Sequence, residues 1–164
     1  MKQTLLAASF LQTVKNTYDA IRRLPQVPAA YLHPWRRESI RRLAALKGTH
    51  AHAGSRAFII GNGPSLKQTD LTKLKNEFTF GMNRIYLMFA ELGFTTSCLV
   101  SINDLVIEQC AAEMVALDLP KFLAWRSYRH FAKLPITNYQ LPTFLYTSYT
   151  TPKFSTDVRG RVWE

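Results

Sequence analysis

The apolar residues of the first fifty positions are spaced as two amphipathic helices require. From Leu5 onward they recur three and four positions apart, at Leu11, Val14, Tyr18 and Ile21. Pro25 and Pro28 are expected to end this first helix, since proline cannot continue one. The second helix is predicted from about Pro34 to Lys47.

One side of the second helix is basic, with Arg36, Arg37, Arg41 and Arg42. Such a side is most often a solvated surface, but it could also meet nucleic-acid phosphates, an anionic membrane or an acidic partner. The small and polar residues from Gly48 to Gly54 are typical of a linker. We therefore expect a basic helical extension with its linker over residues 1–54 and a separate domain over 55–164.

After the linker the pattern changes to short apolar runs that alternate with helical segments. Four runs are predicted strands and a fifth is weaker: Ala57–Ile60, Glu77–Gly81, Ser97–Ile102, Lys121–Trp125 and Thr143–Tyr149. Between them, helices are predicted over Ile85–Leu92, closed by Gly93, and from a cap at Asn103 or Asp104 to about Leu117. This alternation predicts an α/β fold with a Rossmann-like parallel sheet and right-handed crossovers. Because four or five strands are fewer than such a sheet usually has, we expect the chain to be the front part of a longer protein.

Composition limits the class of protein further. With 164 residues, 47% of them hydrophobic and 20% charged, the chain has room for one globular domain and is too apolar for disorder. No apolar run approaches the roughly 20 residues of a membrane span, and no signal peptide is recognisable. Cys98 and Cys110 lie in apolar stretches and are expected to be buried thiols, with no zinc site or disulfide. We therefore expect a cytoplasmic location.

The net charge of +10 is concentrated in the N-terminal third of the chain. Residues 1–56 contain ten Lys and Arg against Asp19 and Glu38, which makes +8, and the remaining residues carry +2. This basic third predicts peripheral contact with an anionic membrane at the inner membrane face. Nucleic acid is disfavoured, because charge is the only feature that suggests it.

The residues that follow the first three predicted strands are polar, and in an open α/β sheet ligands bind at these ends. Gly61, Asn62, Gly63, Pro64 and Ser65 form a predicted phosphate loop, in which the glycines allow a tight turn and close approach to an anion. Asn83-Arg84 and Asn103-Asp104 end the next two strands. Asparagine can read a base edge or a ribose, and Arg84 can neutralise phosphate. The third glycine of the dinucleotide fingerprint is missing, as is the lysine of a P-loop, so neither NAD nor Walker-type ATP binding is favoured.

Three segments together resemble a known family. The strings Phe58-Ile-Ile-Gly-Asn-Gly-Pro-Ser-Leu66, Phe80-Gly-Met-Asn-Arg-Ile-Tyr86 and Val100-Ser-Ile-Asn-Asp-Leu105 are similar to the bacterial and archaeal 6-hydroxymethylpterin pyrophosphokinase-like domains. The same glycine string, with asparagine after strands two and three, resembles the metal-independent bacterial sialyltransferases that use CMP-sialic acid. The resemblance covers about residues 45–164.

The resemblance to the sialyltransferases implies roles for individual residues. Asn62 and its loop would form a nucleotide phosphate and ribose site, and Asn83 and Asn103 would contact the nucleotide. Arg161, with Arg159 as the alternate, matches an arginine that serves the active site in that family. The family's catalytic histidine lies C-terminal to these residues. His130 does not replace it, because its Tyr-Arg-His-Phe segment has the wrong position relative to the strands.

Three functions remain open at this point. The first is a transferase that uses a nucleotide-activated sugar, such as a CMP-sugar, in surface glycan synthesis. The second is diphosphate transfer from ATP to a hydroxymethyl pterin, which requires magnesium and for which only Asp104 is a suitable carboxylate. The third is a truncated nucleotide-binding module without catalysis. The first two differ in their need for metal, and the sequence favours the metal-free one.

Overall fold

The five apolar runs form five parallel strands in a computed structural model that describes residues 13–15, 17–18, 21, 28, 31–49, 54–137 and 141–145. The strands are β1 Ala57–Ile60, β2 Phe78–Met82, β3 Cys98–Ser101, β4 Lys121–Ala124 and β5 Thr143–Leu145. Their order in the sheet is the order in the chain, β1-β2-β3-β4-β5, and every neighbouring pair is parallel. The predicted α/β class with a parallel sheet is therefore confirmed. Of the predicted fifth strand, positions 146–149 lie outside the described residues.

Helical segments connect the strands. The α-helices are α1 Pro34–Thr49, α2 Phe89–Leu92, α3 Asp104–Ala116 and α4 Tyr128–Phe131, and 3₁₀ turns cover Pro64–Gln68, Thr72–Leu74, Ile85–Met88 and Trp125–Ser127. The prediction of one α-helix over Ile85–Leu92 is partly wrong, because its first half is a 3₁₀ turn, a form common at helix starts. Its predicted end is confirmed, since Gly93 closes α2 with a φ of 69°.

The order of the strands decides where the core lies. Each crossover advances in the same direction, so right-handed connections place all of them on one face of the sheet. On that face Ile60, Leu99, Leu123 and Phe144 are buried, and they belong to one core cluster with the inner side of α3. Within the described part of the chain, the core of this domain is therefore one-sided.

The opposite face of the sheet, here called the open face, is also apolar. It consists of alternate strand residues, among them Ile59, Phe78, Phe80, Met82, Val100, Phe122 and Leu145. Ile59 is 74% exposed and the other six are half-buried. None of these seven residues belongs to the core cluster or to the partly buried hydrophobic residues that pack against it.

The basic helix α1 packs against β5, at the edge of the sheet. The Ser39 hydroxyl accepts a hydrogen bond from the backbone N–H of Phe144 at 2.9 Å and donates to the carbonyl of Trp35 at 2.7 Å. The Arg42 guanidinium donates to the carbonyl of Leu141 at 2.6 Å. Ser39 thus satisfies a buried strand N–H, which an edge strand would otherwise leave unpaired.

Of the four arginines of α1, Arg36 and Arg42 are half-buried, whereas Arg37 and Arg41 are exposed. Arg41 and Arg42 both donate to Glu38, and these hydrogen bonds lower the pKa of Glu38 to about 2. The Arg36 guanidinium lies over the ring of Tyr31, 4.4 Å from its centroid. Arg37 is exposed. The four arginines therefore do not form one continuous surface that faces solvent.

Among the described residues, the helices are all too short or too polar to cross a bilayer.

Candidate functional site

The three polar strand ends predicted from the sequence lie side by side. β1, β2 and β3 are neighbours and parallel, with Ile60 paired to Gly81 and Met82 paired to Val100. Their carboxyl ends therefore meet at one edge of the sheet, where ligands bind in open α/β folds. We call the Gly61–Ser65 loop, Asn83-Arg84 and Asn103-Asp104 the strand-end site.

The glycine loop is extended rather than tightly turned. Gly63 has φ −73° and ψ 162°, a conformation that any residue adopts, and Gly61 has no positive φ either. A Cβ added to Gly61 would meet nothing within 4 Å, and one added to Gly63 would meet only Ser65 Oγ, at 4.0 Å. The fold itself therefore does not require these glycines, and the space beside their backbone is open.

Asn62 and Ser65 of this loop are exposed, and the loop leads into a five-residue 3₁₀ turn that begins at Pro64. The turn is held by the Leu66 N–H, which donates to the Gly63 carbonyl, and by the Thr69 hydroxyl, which donates to the Ser65 carbonyl. Within the described ranges no residue hydrogen bonds to the Asn62 side chain. Its donor and acceptor groups are thus accessible to a ligand.

Asn83 directly follows β2 and forms two hydrogen bonds to β3. Its φ of 53° is in the left-handed region, where asparagine is tolerated better than most residues. Its side-chain oxygen accepts from the Ser101 hydroxyl at 2.9 Å, and its N–H donates to the Val100 carbonyl at 2.9 Å. This asparagine therefore has a structural role, and its side-chain NH₂ group is what it can offer to a ligand.

Arg84 is exposed and lies beside Tyr86. A hydrogen bond to Tyr86 raises the pKa of the guanidinium above its ordinary value. Burial, followed by a hydrogen bond to Glu113 of α3, raises the pKa of Tyr86. Arg84 therefore contributes a permanent positive charge to the strand-end site.

Asn103 caps the N-terminus of α3. Its side-chain oxygen accepts from the N–H groups of Leu105, at 3.1 Å, and Val106, at 3.5 Å. This contact satisfies backbone donors that the first turn of a helix leaves unpaired. The side-chain oxygen of Asn103 is therefore occupied by the helix, and the NH₂ group is the part of this side chain that could bind a ligand.

Asp104 gathers three donors from the segment that follows β4. Its Oδ1 accepts from the Ser127 hydroxyl at 2.8 Å and lies 3.2 Å from Nε2 of His130. Its Oδ2 accepts from the Arg129 guanidinium at 2.6 Å. The contacts hold the start of α4 against the start of α3, at the carboxyl ends of two neighbouring strands.

These contacts also determine the ionisation of Asp104. Partial burial raises the pKa of this carboxyl group. The hydrogen bond from Ser127, the charge of Arg129 and the hydrogen bond from His130 outweigh that effect, so the pKa lies below its ordinary value. Asp104 is therefore a carboxylate at neutral pH.

We expect Asp104→Asn to lower the free energy of unfolding by about 1–3 kcal/mol at neutral pH, because the amide accepts more weakly and turns an NH₂ group toward donors. Since the folded pKa is depressed, the contribution is complete above the ordinary carboxyl pKa of about 3.9 and is lost as pH falls through the folded value. Urea midpoints of the two proteins across this pH range check the prediction, with Glu108→Gln, at an exposed position of α3, as the control. An equal difference between the two proteins at neutral and acidic pH would contradict the role of the charge.

The structure brings His130 to the predicted site, although the sequence indicated no such contact. The signal in the sequence was weak: His130 follows β4 as Asp104 follows β3, but only the packing of α4 on α3 brings the two together. Arg161 and its alternate Arg159 lie outside the described residues. Groups of three or more His, Cys, Asp or Glu suited to a metal ion do not occur in the described ranges.

A scan against protein-family models, a search of curated proteins and a search of solved structures each found no match to this chain.

Proposed function

We propose that the strand-end site binds a nucleotide, and that the chain is part of a sialyltransferase-like glycosyltransferase that uses a nucleotide-activated sugar in surface glycan synthesis. The observation that supports this best is the adjacency of three polar strand ends on β1, β2 and β3. The fold class by itself favours this edge for ligands. The resemblance seen in the sequence points to the same residues.

Each part of the site suits one part of a nucleotide. The open space beside Gly61 and Gly63 allows a phosphate or ribose to approach the backbone closely. The accessible amide of Asn62 can donate to and accept from a base edge or ribose hydroxyls. Arg84 supplies positive charge near the phosphates. The general base of the transfer is outside this assignment, and no step of the transfer is assigned to His130.

The geometry favours a nucleotide-activated sugar, rather than ATP with magnesium, as the substrate that donates the transferred group. Asp104, the one carboxylate that the sequence offered as a magnesium ligand, already receives hydrogen bonds on both oxygens. A magnesium ion on Asp104 would lie beside the Arg129 guanidinium, whose positive charge disfavours it. The pyrophosphokinase-like reaction therefore remains the second candidate, distinguished by its requirement for metal.

We expect CMP or CDP to bind without metal, and Gly61→Ala and Asn62→Ala each to weaken binding at least tenfold, or about 1.4 kcal/mol. The new methyl group would occupy the space beside the backbone, and the second change removes the accessible amide. Titration calorimetry with CMP, CDP and ATP, each with and without magnesium, measures this.

The matched control is Asn76→Ala, an exposed asparagine in the turn before β2, at the opposite edge of the sheet. Binding of ATP only with magnesium would favour the second candidate. If no nucleotide binds, or if Asn76→Ala weakens binding as much as Asn62→Ala, the site assignment is wrong. Release of CMP from CMP-sialic acid tests the transfer itself.

A further inference from the structure

His33 lies immediately before α1 and caps its N-terminus. Its Nδ1 accepts a hydrogen bond from the backbone N–H of Trp35 at 3.2 Å, and its carbonyl accepts from the N–H of Arg36 at 3.0 Å. Pro34, the first residue of the helix, has no N–H to donate. Since the first N–H groups of a helix lack intrahelical acceptors, His33 supplies the partner of the Trp35 N–H.

The ring of His33 also contacts three aromatic rings. The distances between ring centroids are 4.9 Å to Tyr128, 5.2 Å to Trp35 and 5.5 Å to Trp125. Trp35 in turn stacks on Phe144 of β5, with the centroids 5.9 Å apart and the planes 7° apart. His33 therefore connects the start of α1 to α4 directly and to β5 through Trp35.

The neutral form of His33 is the form that fits these contacts. An imidazolium carries a hydrogen on both ring nitrogens, so its Nδ1 could not accept from the Trp35 N–H. It would also place a positive charge at the N-terminus of a helix, which is the positive end of the helix dipole. In the same direction, burial lowers the pKa of His33 below its ordinary value.

The charged residues of the elements that pack against His33 do not favour its protonation either. These elements are residues 34–46 of α1, the 3₁₀ turn at Trp125 and α4, and Glu38 is the carboxylate among them. Its oxygens already accept hydrogen bonds from two arginines of the same helix. The other charged or titratable residues of these elements are Arg36, Arg37, Arg41, Arg42, Arg126, Tyr128, Arg129 and His130.

We propose that His33 is a pH-sensitive latch that holds the first turn of α1 on β5 and α4. The neutral ring caps the helix and packs among the aromatic rings. When the ring takes up a proton the cap is lost, and the first turn moves away from β5 together with Trp35. The Ser39 hydroxyl, one turn further along α1, then leaves the Phe144 N–H, so the edge strand loses its cover. The proposal does not depend on nucleotide binding.

Hydrogen exchange at the Phe144 amide measures the docking of α1, because this N–H donates to Ser39 Oγ. We expect its protection factor, which corrects for the intrinsic pH dependence of exchange, to fall at least about fivefold from about pH 7 to about pH 5. The Leu99 amide, which donates to the Pro120 carbonyl, is the internal control. Its protection factor should change by less than about twofold.

The titration of the His33 ring provides a second measurement on the unaltered protein. We expect the NMR signal of its C2 proton to titrate with a midpoint below the ordinary histidine value of about 6.5. The folded chain then binds this proton more weakly than the unfolded chain, so stability decreases as the pH falls below about 6.5. A midpoint above that value would show that the aromatic rings stabilise the cation, and would overturn the proposal. Constant protection of the Phe144 amide would do the same.

His33→Asn separates the cap from the titration, because asparagine is a good N-cap that does not ionise in this range. We expect the protection factor of the Phe144 amide in this variant to be equal at the two pH values within about twofold. His130→Gln is the matched control, since His130 lies on α4 and bonds to Asp104. It should leave the fall in protection intact. A fall that persists in His33→Asn, or that disappears in His130→Gln, would assign the pH response to another group and overturn the proposal.

Discussion

Phe144→Ala is expected to lower the free energy of unfolding by about 3–5 kcal/mol, a large part of the roughly 5–15 kcal/mol that stabilises a domain. Phe144 is fully buried in β5. Its ring lies 5.9 Å from those of Trp35 and Phe131 and 5.8 Å from that of Trp125. Alanine would leave a cavity between α1, β5 and α4, which these large rings cannot fill. Urea denaturation measures the change.

Phe80→Ala is the matched control for Phe144→Ala. Phe80 lies on the open face of the sheet, is half-buried and does not belong to the core cluster. We expect Phe80→Ala to lower the free energy of unfolding by less than about half as much as Phe144→Ala. The reason is that a half-buried side chain contributes in proportion to the area it removes from water. Equal losses for the two variants would contradict a one-sided core.

Gly81→Ala is expected to lower the free energy of unfolding by about 1–3 kcal/mol through overpacking. A Cβ at this position would lie 2.7 Å from Thr96 Oγ1 and 2.9 Å from Thr96 Cγ2, and it would also collide with Ile85. Ile85 and Thr96 are both buried, and the Thr96 hydroxyl donates to the Cys98 carbonyl. Neither neighbour can move without disturbing the sheet. The measurement is the urea midpoint.

Gly61→Ala makes the same change where the added Cβ meets open space, and it is expected to alter stability by no more than about 0.5 kcal/mol. A similar loss of stability for both glycine variants would show that backbone freedom, rather than the space around Gly81, is the cause. The stability of Gly61→Ala also ensures that a loss of nucleotide binding in this variant does not come from unfolding.

The candidate site was predictable because it depends on a rule that links sequence to position. The carboxyl ends of parallel strands face the same way, so polar residues that follow each strand lie at one edge. The rule placed Asn62, Asn83 and Asn103, but it did not show that Asn83 accepts from Ser101 or that Asn103 caps α3. These partners come from the adjacent strand and from the following helix. The extended form of the glycine loop likewise differs from the tight turn expected from its glycines.

The sequence alone determined the existence and type of most elements, because these depend on neighbouring residues. Continuous apolar runs bounded by Gly, Asn and Pro predicted the strands, and Asn103 and Gly93 marked a helix start and a helix end. The tertiary structure decided the strand order, the face that carries the core, the packing of α1 on β5 through Ser39, and the meeting of His130 with Asp104. These features join residues 26 to 105 positions apart. Such contacts are selected by burial and hydrogen bonding in the whole fold, and a local pattern of residues does not encode them.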